Sequence, residues 1–194
     1  STGEKFANFG VLTISGDNKS FELINPDNVD IETMSADAKS AYNTVKEKID
    51  GYNEEIEYLY RHAGIKQVGE NRVQQMLEHW EALPDREDLR FHFIGTLQKN
   101  KVKYIIDKVA MIHSLDSIPL AQEIEKQAAK RDRTVDVLCE INCGREESKS
   151  GLMPEEAEDF CLSLAEFPHL RLRGFMTMAP KCEKNEEYRK YFRK

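Results

Sequence analysis

Short apolar runs that end in glycine and polar residues constrain the fold of this chain more than any other feature. Each run leads directly into a stretch whose apolar residues have helical spacing, which is the pattern of a strand, a loop and a helix. The clearest case is residues 68–95, where VGENRVQQM is followed by a helix-like passage and then by FHFIG, and residues 147–151 repeat the loop pattern. In barrels built from such units, functional side chains lie in the loops at the carboxyl ends of the strands.

Five consecutive strand–helix units are predicted from residue 65 onward. Their succession favours a parallel sheet with right-handed crossovers, so the predicted fold class is α/β, with a parallel (β/α) TIM-barrel-like arrangement. A closed barrel of this type needs about eight strands. The sequence supplies fewer, which predicts an incomplete or remodelled barrel. The predicted strands are residues 65–68, 89–94, 109–113, 135–142 and 170–178, and the predicted helices are residues 71–82, 98–107, 117–131, 154–167 and the tail from residue 183.

The N-terminal part of the chain has a different pattern. Residues 9–14 and 20–24 are strand-like, and SGDNK between them suits the loop of a β-hairpin. A helix is predicted from the N-cap Ser35 to about residue 49, with Asp50 and Gly51 ending it, and a second helix from Glu54 to near Gly64. These features predict an N-terminal hairpin segment over residues 1–34 and a barrel-like domain over residues 35–194.

Charge and cysteine usage restrict the possible functions. A net charge of −7 disfavours a general nucleic-acid binder, and the sequence contains no apolar run long enough to span a membrane. The four cysteines include no CxxC pair and no spacing that suits zinc, so no metal site is predicted. Unpaired cysteines of this kind are typical of a reducing compartment, which predicts a cytoplasmic location.

Five motifs stand in order at the ends of the predicted strands. They read GENRVQQ (69–75), FHFIGTLQKNK (91–101), MIHSLD (111–116), EIN with EESKSG (140–142 and 146–151), and RGFMTMAP (173–180). Together they resemble the pyridoxal-phosphate homeostasis protein family, whose fold is the single-domain barrel also found as the N-terminal domain of alanine racemase. The resemblance covers about residues 54–180.

This resemblance implies a barrel that binds pyridoxal 5′-phosphate (PLP) through a Schiff-base lysine at the end of its first strand. It further implies a role in carrying, buffering or delivering the cofactor, without robust catalysis. The family's lysine strand and its C-terminal phosphate loops are not recognisable in this sequence. Aligned on the family, residue 49 takes the place of the lysine, and Lys48 is the adjacent candidate. Its charged neighbours favour a solvated helix face instead.

The other candidate cofactor-binding residues follow predicted strands. By the family motif Asn71 would hold the cofactor ring, whereas its position before a helix equally favours a cap. Ile94 and Gly95 end a strand, where glycine permits either close approach of a flat ring or a tight turn. Lys149 lies in a loop that the resemblance places at the barrel mouth, and Met176 packs either on the ring or in the core. His92 is expected to be a hydrogen-bonded histidine inside the barrel.

Three functions remain open at this point. The first is a PLP-binding protein of cofactor homeostasis, the second a PLP-dependent racemase-like enzyme, and the third a truncated or remodelled barrel that has lost the cofactor and acts as an interaction protein. The expected partner is a small-molecule cofactor, with no nucleic acid and no membrane, in a monomer or homodimer. Because exposed sheet edges are a liability, either residues 9–24 complete the sheet or two chains associate.

Overall fold

A computed structural model describes residues 9–15, 18–24, 36–83 and 88–193 of the chain. The chain divides into two units, Ser1–Gly64 with Glu78–Asp85, and Ile65–Leu77 with Arg86–Lys194. In the part of the chain that the structure describes, no helix has both the length and the apolar character needed to cross a membrane.

The predicted hairpin is present in the first unit. Strands β1 (Phe9–Ser15) and β2 (Asn18–Ile24) pair antiparallel with Ser15 opposite Asn18, while Gly16 and Asp17 lie outside the described residues. These two strands form a sheet of their own, and the other described strands form a second sheet. The expectation that residues 9–24 complete the parallel sheet is therefore wrong for the described strands.

The first unit also contains one long helix where the sequence predicted two. Helix α1 (Ala36–Ala63) runs without interruption through Asp50 and Gly51, so the predicted stop there is wrong. A glycine inside a helix costs only about 1 kcal/mol relative to alanine, which does not end a helix that continues on both sides. The helix ends as predicted, before Gly64, whose φ of +66° is the left-handed conformation that glycine adopts most easily. The proposed N-cap, Ser35, lies outside the described residues.

The second unit is built on a sheet of five parallel strands in sequence order. Each strand begins or ends within about three residues of its predicted bounds, which is the usual uncertainty of such boundaries. Among the described strands, the first and the last of this sheet each have a neighbour on one side only. The prediction of an incomplete TIM-barrel-like α/β fold is thus confirmed. The strands are β3 (Gln67–Glu70), β4 (Arg90–Phe93), β5 (Val109–Leu115), β6 (Val135–Ile141) and β7 (Leu170–Thr177).

A helix follows every strand of this sheet, as the strand–helix pattern predicted. The stretch after β6 is less regular than expected, because a 3₁₀ turn (Pro154–Glu156) precedes its helix and another (Leu164–Glu166) follows it. The helices are α2 (Val73–Ala82), α3 (Lys99–Ile105), α4 (Ile118–Ala129), α5 (Ala157–Ser163) and α6 (Asn185–Phe192).

The core of the second unit lies between the helices and one face of the sheet. Alternate residues of the strands, such as Phe91 and Phe93 on β4 and Val135 and Val137 on β6, are almost completely buried there. Each such side chain contributes about 1.5–3 kcal/mol when fully buried. The residues between them, such as His92, lie on the opposite face and are only half-buried. This second face corresponds to the interior of a closed barrel.

Candidate functional site

The loops after β3 and β4 lie against each other at the carboxyl edge of the sheet. The amide of Ile94 donates a hydrogen bond to the carbonyl of Glu70 at 2.8 Å, which continues the pairing past the ends of both strands. A Cβ atom placed on Gly95 would come within 2.2 Å of the carbonyl oxygen of Asn71. Only glycine fits at residue 95 in this backbone arrangement. The structure thus brings the candidates Asn71, Ile94 and Gly95 together.

The side chain of Ile94 forms an apolar surface at this edge. A Cβ on Gly69 would lie 3.3 Å from Ile94 Cδ1, so the isoleucine side chain lies over the glycine of the neighbouring strand. Ile94 nevertheless remains 44% exposed. An exposed apolar side chain beside a glycine can accommodate one face of a flat ring.

Asn71 is exposed and precedes helix α2 by two residues. The first helical amide bond runs from Met76 to the carbonyl of Arg72, so Arg72 and not Asn71 occupies the cap position. The Asn71 side-chain amide is therefore not needed for the standard cap of this helix.

The loop after β6 is organised by the buried side chain of Asn142. Its amide nitrogen donates to the carbonyl oxygens of Glu146 at 2.9 Å and Lys149 at 3.4 Å, and its oxygen accepts from the Glu146 amide at 3.2 Å. Asn142 is 5% exposed, so these bonds satisfy a polar group that burial would otherwise penalise. The Asn142 side chain therefore bonds to the backbone on both sides of the loop that contains Lys149.

A hydrogen-bonded chain links this loop to the end of β4. The Ser150 hydroxyl donates to Glu140 Oε1 at 3.0 Å, and the hydroxyls of Thr96 and Ser150 are 3.3 Å apart. Since β5 lies between β4 and β6, this chain passes over the end of β5. These contacts connect the loop after β4 with the loop after β6 and with the end of β6 itself.

The carboxyl group of Glu140 is perturbed by its surroundings. Burial raises its pKa above the ordinary value, the hydrogen bond from Ser150 acts in the opposite direction, and the nearby charge of Asp116 raises it further. Perturbed carboxyl groups of this kind are common at functional sites.

Met176 lies beside this carboxyl group, because the β6–β7 register pairs it with Glu140. Its side chain is half-buried, so it belongs to the half-exposed face of the sheet rather than to the fully buried core. The neighbouring Thr177 hydroxyl donates to the carbonyl of Ile141 at 2.6 Å and fixes the end of β7. Met176 therefore lies at the same edge as the other candidates of this unit.

The two candidate lysines have different positions. Lys149 is exposed in the loop that Asn142 holds, at the carboxyl edge of the sheet. Lys48 lies inside helix α1 of the first unit, not at a strand end, and its side chain lies outside the described part of the structure. The structure thus assembles five of the six candidates within the second unit, and the role of Lys48 stays a prediction.

The turn after the Lys149 loop carries negative charge. Glu155 and Glu156 occupy its first positions, and Glu156 accepts the Met153 amide at 2.9 Å. Arg145 forms a bidentate pair with Glu155, with N–O distances of 2.9 and 2.7 Å. This turn therefore offers little attraction to a phosphate.

Two histidines form a pair on the half-buried face of the sheet. His92 Nδ1 and His113 Nε2 are 2.9 Å apart, which confirms the expected hydrogen bond of His92. Burial and the charge of Arg90 lower the pKa of His92, and burial and His92 lower the pKa of His113. One of the two facing ring nitrogens must carry no proton, so that it can accept the hydrogen bond from the other.

Sequence reasoning did not identify the roles of Thr96, Glu140 and Asn142. All three lie within the motifs at the strand ends, and this position could have marked them as candidate site residues. Their partners are separated by as many as 54 residues along the chain, as for Thr96 and Ser150. Those pairings depend on strand order and register, which the sequence pattern does not specify.

Comparison with known proteins agrees with this architecture. Residues 30–194 match the family model of the alanine racemase N-terminal domain. The pyridoxal phosphate homeostasis protein of Aquifex aeolicus is 48% identical over 135 residues, which cover 70% of this chain and 59% of that protein. The protein of the same name from Haemophilus influenzae is 32% identical over 167 residues, which cover 84% of this chain and 70% of that protein.

A solved structure shows the same fold. PipY of Synechococcus elongatus with PLP bound has 28% sequence identity and a TM-score of 0.65, over 72% of this chain and 64% of that chain. The match to this chain spans only 59% of the length of the Aquifex aeolicus protein.

Proposed function

We propose that this chain binds PLP in cofactor homeostasis, because it belongs to the alanine racemase N-terminal domain family, in the group of pyridoxal phosphate homeostasis proteins. In this role it has no robust catalytic activity of its own. PipY, a relative of the same fold, has been solved with PLP bound. The relatives' names support a role in homeostasis of that cofactor.

The observation that carries the proposal is the convergence of five candidate residues at one edge of the parallel sheet. Carboxyl edges of parallel strands are where barrels of this type bind ligands. The exposed Ile94 beside Gly69 and the half-buried Met176 supply apolar surface, which fits a flat aromatic ring. PLP, when bound, supplies an aldehyde that reacts with amines and a ring that withdraws electrons.

Each residue of this edge has a distinct task in the proposal. Ile94 and Met176 would supply apolar surface beside the bound cofactor and exclude water there. Asn71 offers an exposed amide for a hydrogen bond to a ring substituent, and Lys149 offers an amine on a loop that Asn142 holds in place. Gly95 allows the loops after β3 and β4 to meet without a side chain between them.

Binding can be tested by titrating the purified full chain with PLP and following the cofactor's absorbance. Reduction with borohydride and peptide mapping by mass spectrometry then identify the lysine that carries the cofactor. The proposal expects saturable binding with an adduct on Lys149 or Lys48. The absence of saturable binding would favour an interaction protein that has lost the cofactor, and turnover of an amino acid by the loaded protein would favour a racemase-like enzyme.

Paired variants separate the site from nonspecific reaction of surface lysines. Lys149→Met and Asn71→Ala are expected to weaken PLP binding at least several-fold, because each removes a polar group from the edge. Lys126→Met is a matched control, since Lys126 is an exposed lysine on helix α4 whose ion pair is with Glu123. Equal loss of binding in Lys126→Met and Lys149→Met would contradict the assignment.

We also propose a cytoplasmic protein that acts as a monomer or homodimer, without nucleic acid or membrane as a partner. The net charge of −7 supports the expectation of no nucleic-acid or membrane partner, because it disfavours association with polyanions and anionic surfaces. Native mass spectrometry and sedimentation of the purified chain measure its oligomeric state, and fractionation of the source cells tests its location.

A further inference from the structure

Two free cysteines face each other between the sheet and the helix that follows β6. Cys139 lies on β6 and is completely buried, and Cys161 lies on α5 and is half-buried. Their sulfur atoms are 3.8 Å apart, although 22 residues separate them along the chain. The other two cysteines are engaged elsewhere, since Cys143 Sγ contacts the carbonyl of Met178 and Cys182 Sγ contacts that of Pro180.

From this geometry we propose that Cys139 and Cys161 are an oxidative modification site that closes to an intramolecular disulfide when the chain meets a peroxide. The sulfur atoms need to approach by somewhat less than 2 Å to reach the S–S bond length of about 2.05 Å. A small displacement of α5 toward β6 achieves this approach, because both sulfurs already lie in the same interface between sheet and helix.

The difference in burial sets the order of the two chemical steps. The thiolate of Cys161, which is the more accessible of the two, attacks one oxygen of the peroxide, forms an S–O bond and releases the other oxygen as hydroxide. Cys139 then loses its proton and attacks the sulfur of the Cys161 sulfenic acid, and a second hydroxide leaves as the S–S bond forms. Both thiols are oxidised by two electrons in total, and one peroxide is reduced to two waters.

The buried partner makes the second step the slow one. Burial, and then the neighbouring Cys161, raise the pKa of the Cys139 thiol to about 12, so its thiolate is scarce near neutral pH. The low thiolate fraction slows attack on the sulfenic acid but does not prevent it, because the two groups are held in contact.

Closure would constrain the loop that carries part of the candidate cofactor site. The disulfide would enclose every residue between 139 and 161, including Glu140, Asn142 and Lys149. Ser150, which contacts Glu140 and Thr96, lies in the same segment. The modification site itself requires no bound cofactor, so its test is independent of PLP binding.

The experiment uses the full chain as the Cys143→Ser/Cys182→Ser double variant, in which only the proposed pair remains. The reduced protein is treated with a stoichiometric amount of hydrogen peroxide and then alkylated. The expected result is a monomer that has lost two hydrogen atoms in mass and both alkylatable thiols, with the peptides of Cys139 and Cys161 linked. Treatment with a reducing agent is expected to restore both thiols.

Single variants test the proposed order of the steps. With Cys139→Ser in addition, Cys161 is expected to accumulate as a sulfenic acid that dimedone traps. With Cys161→Ser in addition, Cys139 is expected to stay a thiol under the same treatment. If Cys139→Ser does not fold, the half-buried Cys161→Ser still reports whether closure needs both sulfurs.

Three results would overturn the proposal. The first is oxidation of Cys161 to sulfinic acid while Cys139 remains a thiol in the protein that carries both. The second is a disulfide that joins two chains rather than closing within one. The third is recovery of two unreacted thiols after the added peroxide has been consumed by other groups.

Discussion

Single residues in this molecule are constrained by how closely the backbones approach at the carboxyl edge of the sheet. Gly95 has no room for a methyl group, whereas Gly69 meets only the flexible end of the Ile94 side chain. The same edge leaves Ile94 exposed and buries Asn142. The cost of replacing a glycine here is therefore expected to depend on whether the added methyl group meets rigid backbone or a mobile side chain.

Gly95→Ala is expected to lower the free energy of unfolding of the second unit by about 1–3 kcal/mol, because the added methyl group meets the Asn71 backbone. Urea denaturation followed by circular dichroism measures the change. Gly69→Ala is the matched control, since its methyl group displaces only the end of a side chain, and its cost should be clearly smaller. Equal costs for both variants would show that the Asn71 backbone moves freely.

The His92–His113 pair is expected to make the chain less stable as the pH falls. The pKa values of both histidines lie below the ordinary 6.5 in the folded state. Between pH 6.5 and these lowered values, the unfolded chain therefore binds more protons than the folded chain. Stability is therefore greatest above pH 6.5 and is lost as the pH falls through the lowered values.

Urea midpoints measured from neutral to mildly acidic pH test this dependence. The double variant His92→Gln/His113→Gln removes both titrating groups but keeps polar side chains, and its midpoint should fall less than that of the original chain. Identical slopes in the two proteins would assign the acid sensitivity to other groups.

Elements of the fold depend on a few residues that hold otherwise irregular segments. Asn142 fixes the loop between β6 and the following 3₁₀ turn, and the Arg145–Glu155 pair joins the same loop to that turn from outside. Helix α1, by contrast, continues through Gly51, where an added Cβ would meet nothing within 4 Å. The stability of the loop is therefore expected to depend strongly on the Asn142 side chain, whereas that of the helix depends on the helix propensities of its residues.

Asn142→Ala is expected to cost about 1–3 kcal/mol, because it removes the three hydrogen bonds that the buried Asn142 side chain makes to the backbone of Glu146 and Lys149. The loop should then be cleaved faster by a protease under native conditions. Asn100→Ala, at an exposed position of α3, is the control and should leave the cleavage rate unchanged. Unchanged cleavage in Asn142→Ala would show that other contacts hold the loop.

Gly51→Ala is expected to stabilise helix α1 by about 0.5–1 kcal/mol, because alanine loses less conformational freedom than glycine in a helix. A methyl group at this position meets nothing within 4 Å, so no steric cost offsets the gain. Thermal unfolding followed by circular dichroism measures the effect. A lower midpoint in Gly51→Ala would indicate that this helix bends or opens at residue 51.

At the scale of the whole molecule, the second unit has an open sheet with two exposed apolar side chains, one in its last strand and one just after it. Phe175 is 60% exposed and Met178 is 72% exposed, while among the described strands β7 pairs only with β6. Unpaired edges with apolar side chains are typical sites of association.

Two copies of the chain are therefore expected to associate at micromolar concentration through this edge. Phe175→Lys should weaken the association, since it places a charge in the interface. Sedimentation at several concentrations measures it, with Phe192→Lys as a control at another exposed aromatic residue. A monomer at every concentration would contradict this expectation.

The pattern of apolar residues predicted most of the architecture. The succession of strands and helices from residue 65, the hairpin and the end of α1 at Gly64 follow from local periodicity and turn chemistry, which are properties of neighbouring residues. The break at Asp50–Gly51 was predicted wrongly, because a local helix-breaking signal was given more weight than the helical residues on both sides.

Local sequence patterns specify the order of the elements, the family motifs and their location at strand ends, because each depends on residues close together in the chain. Which side chains contact one another depends on the folded arrangement of strands and helices. Ser150 joins Thr96 and Glu140, Cys139 faces Cys161, and His92 pairs with His113. Most of these partners are 21 or more residues apart, and hydrogen bonds and sulfur contacts require ångström-scale placement. That placement comes from strand order, register and packing, which periodicity does not encode.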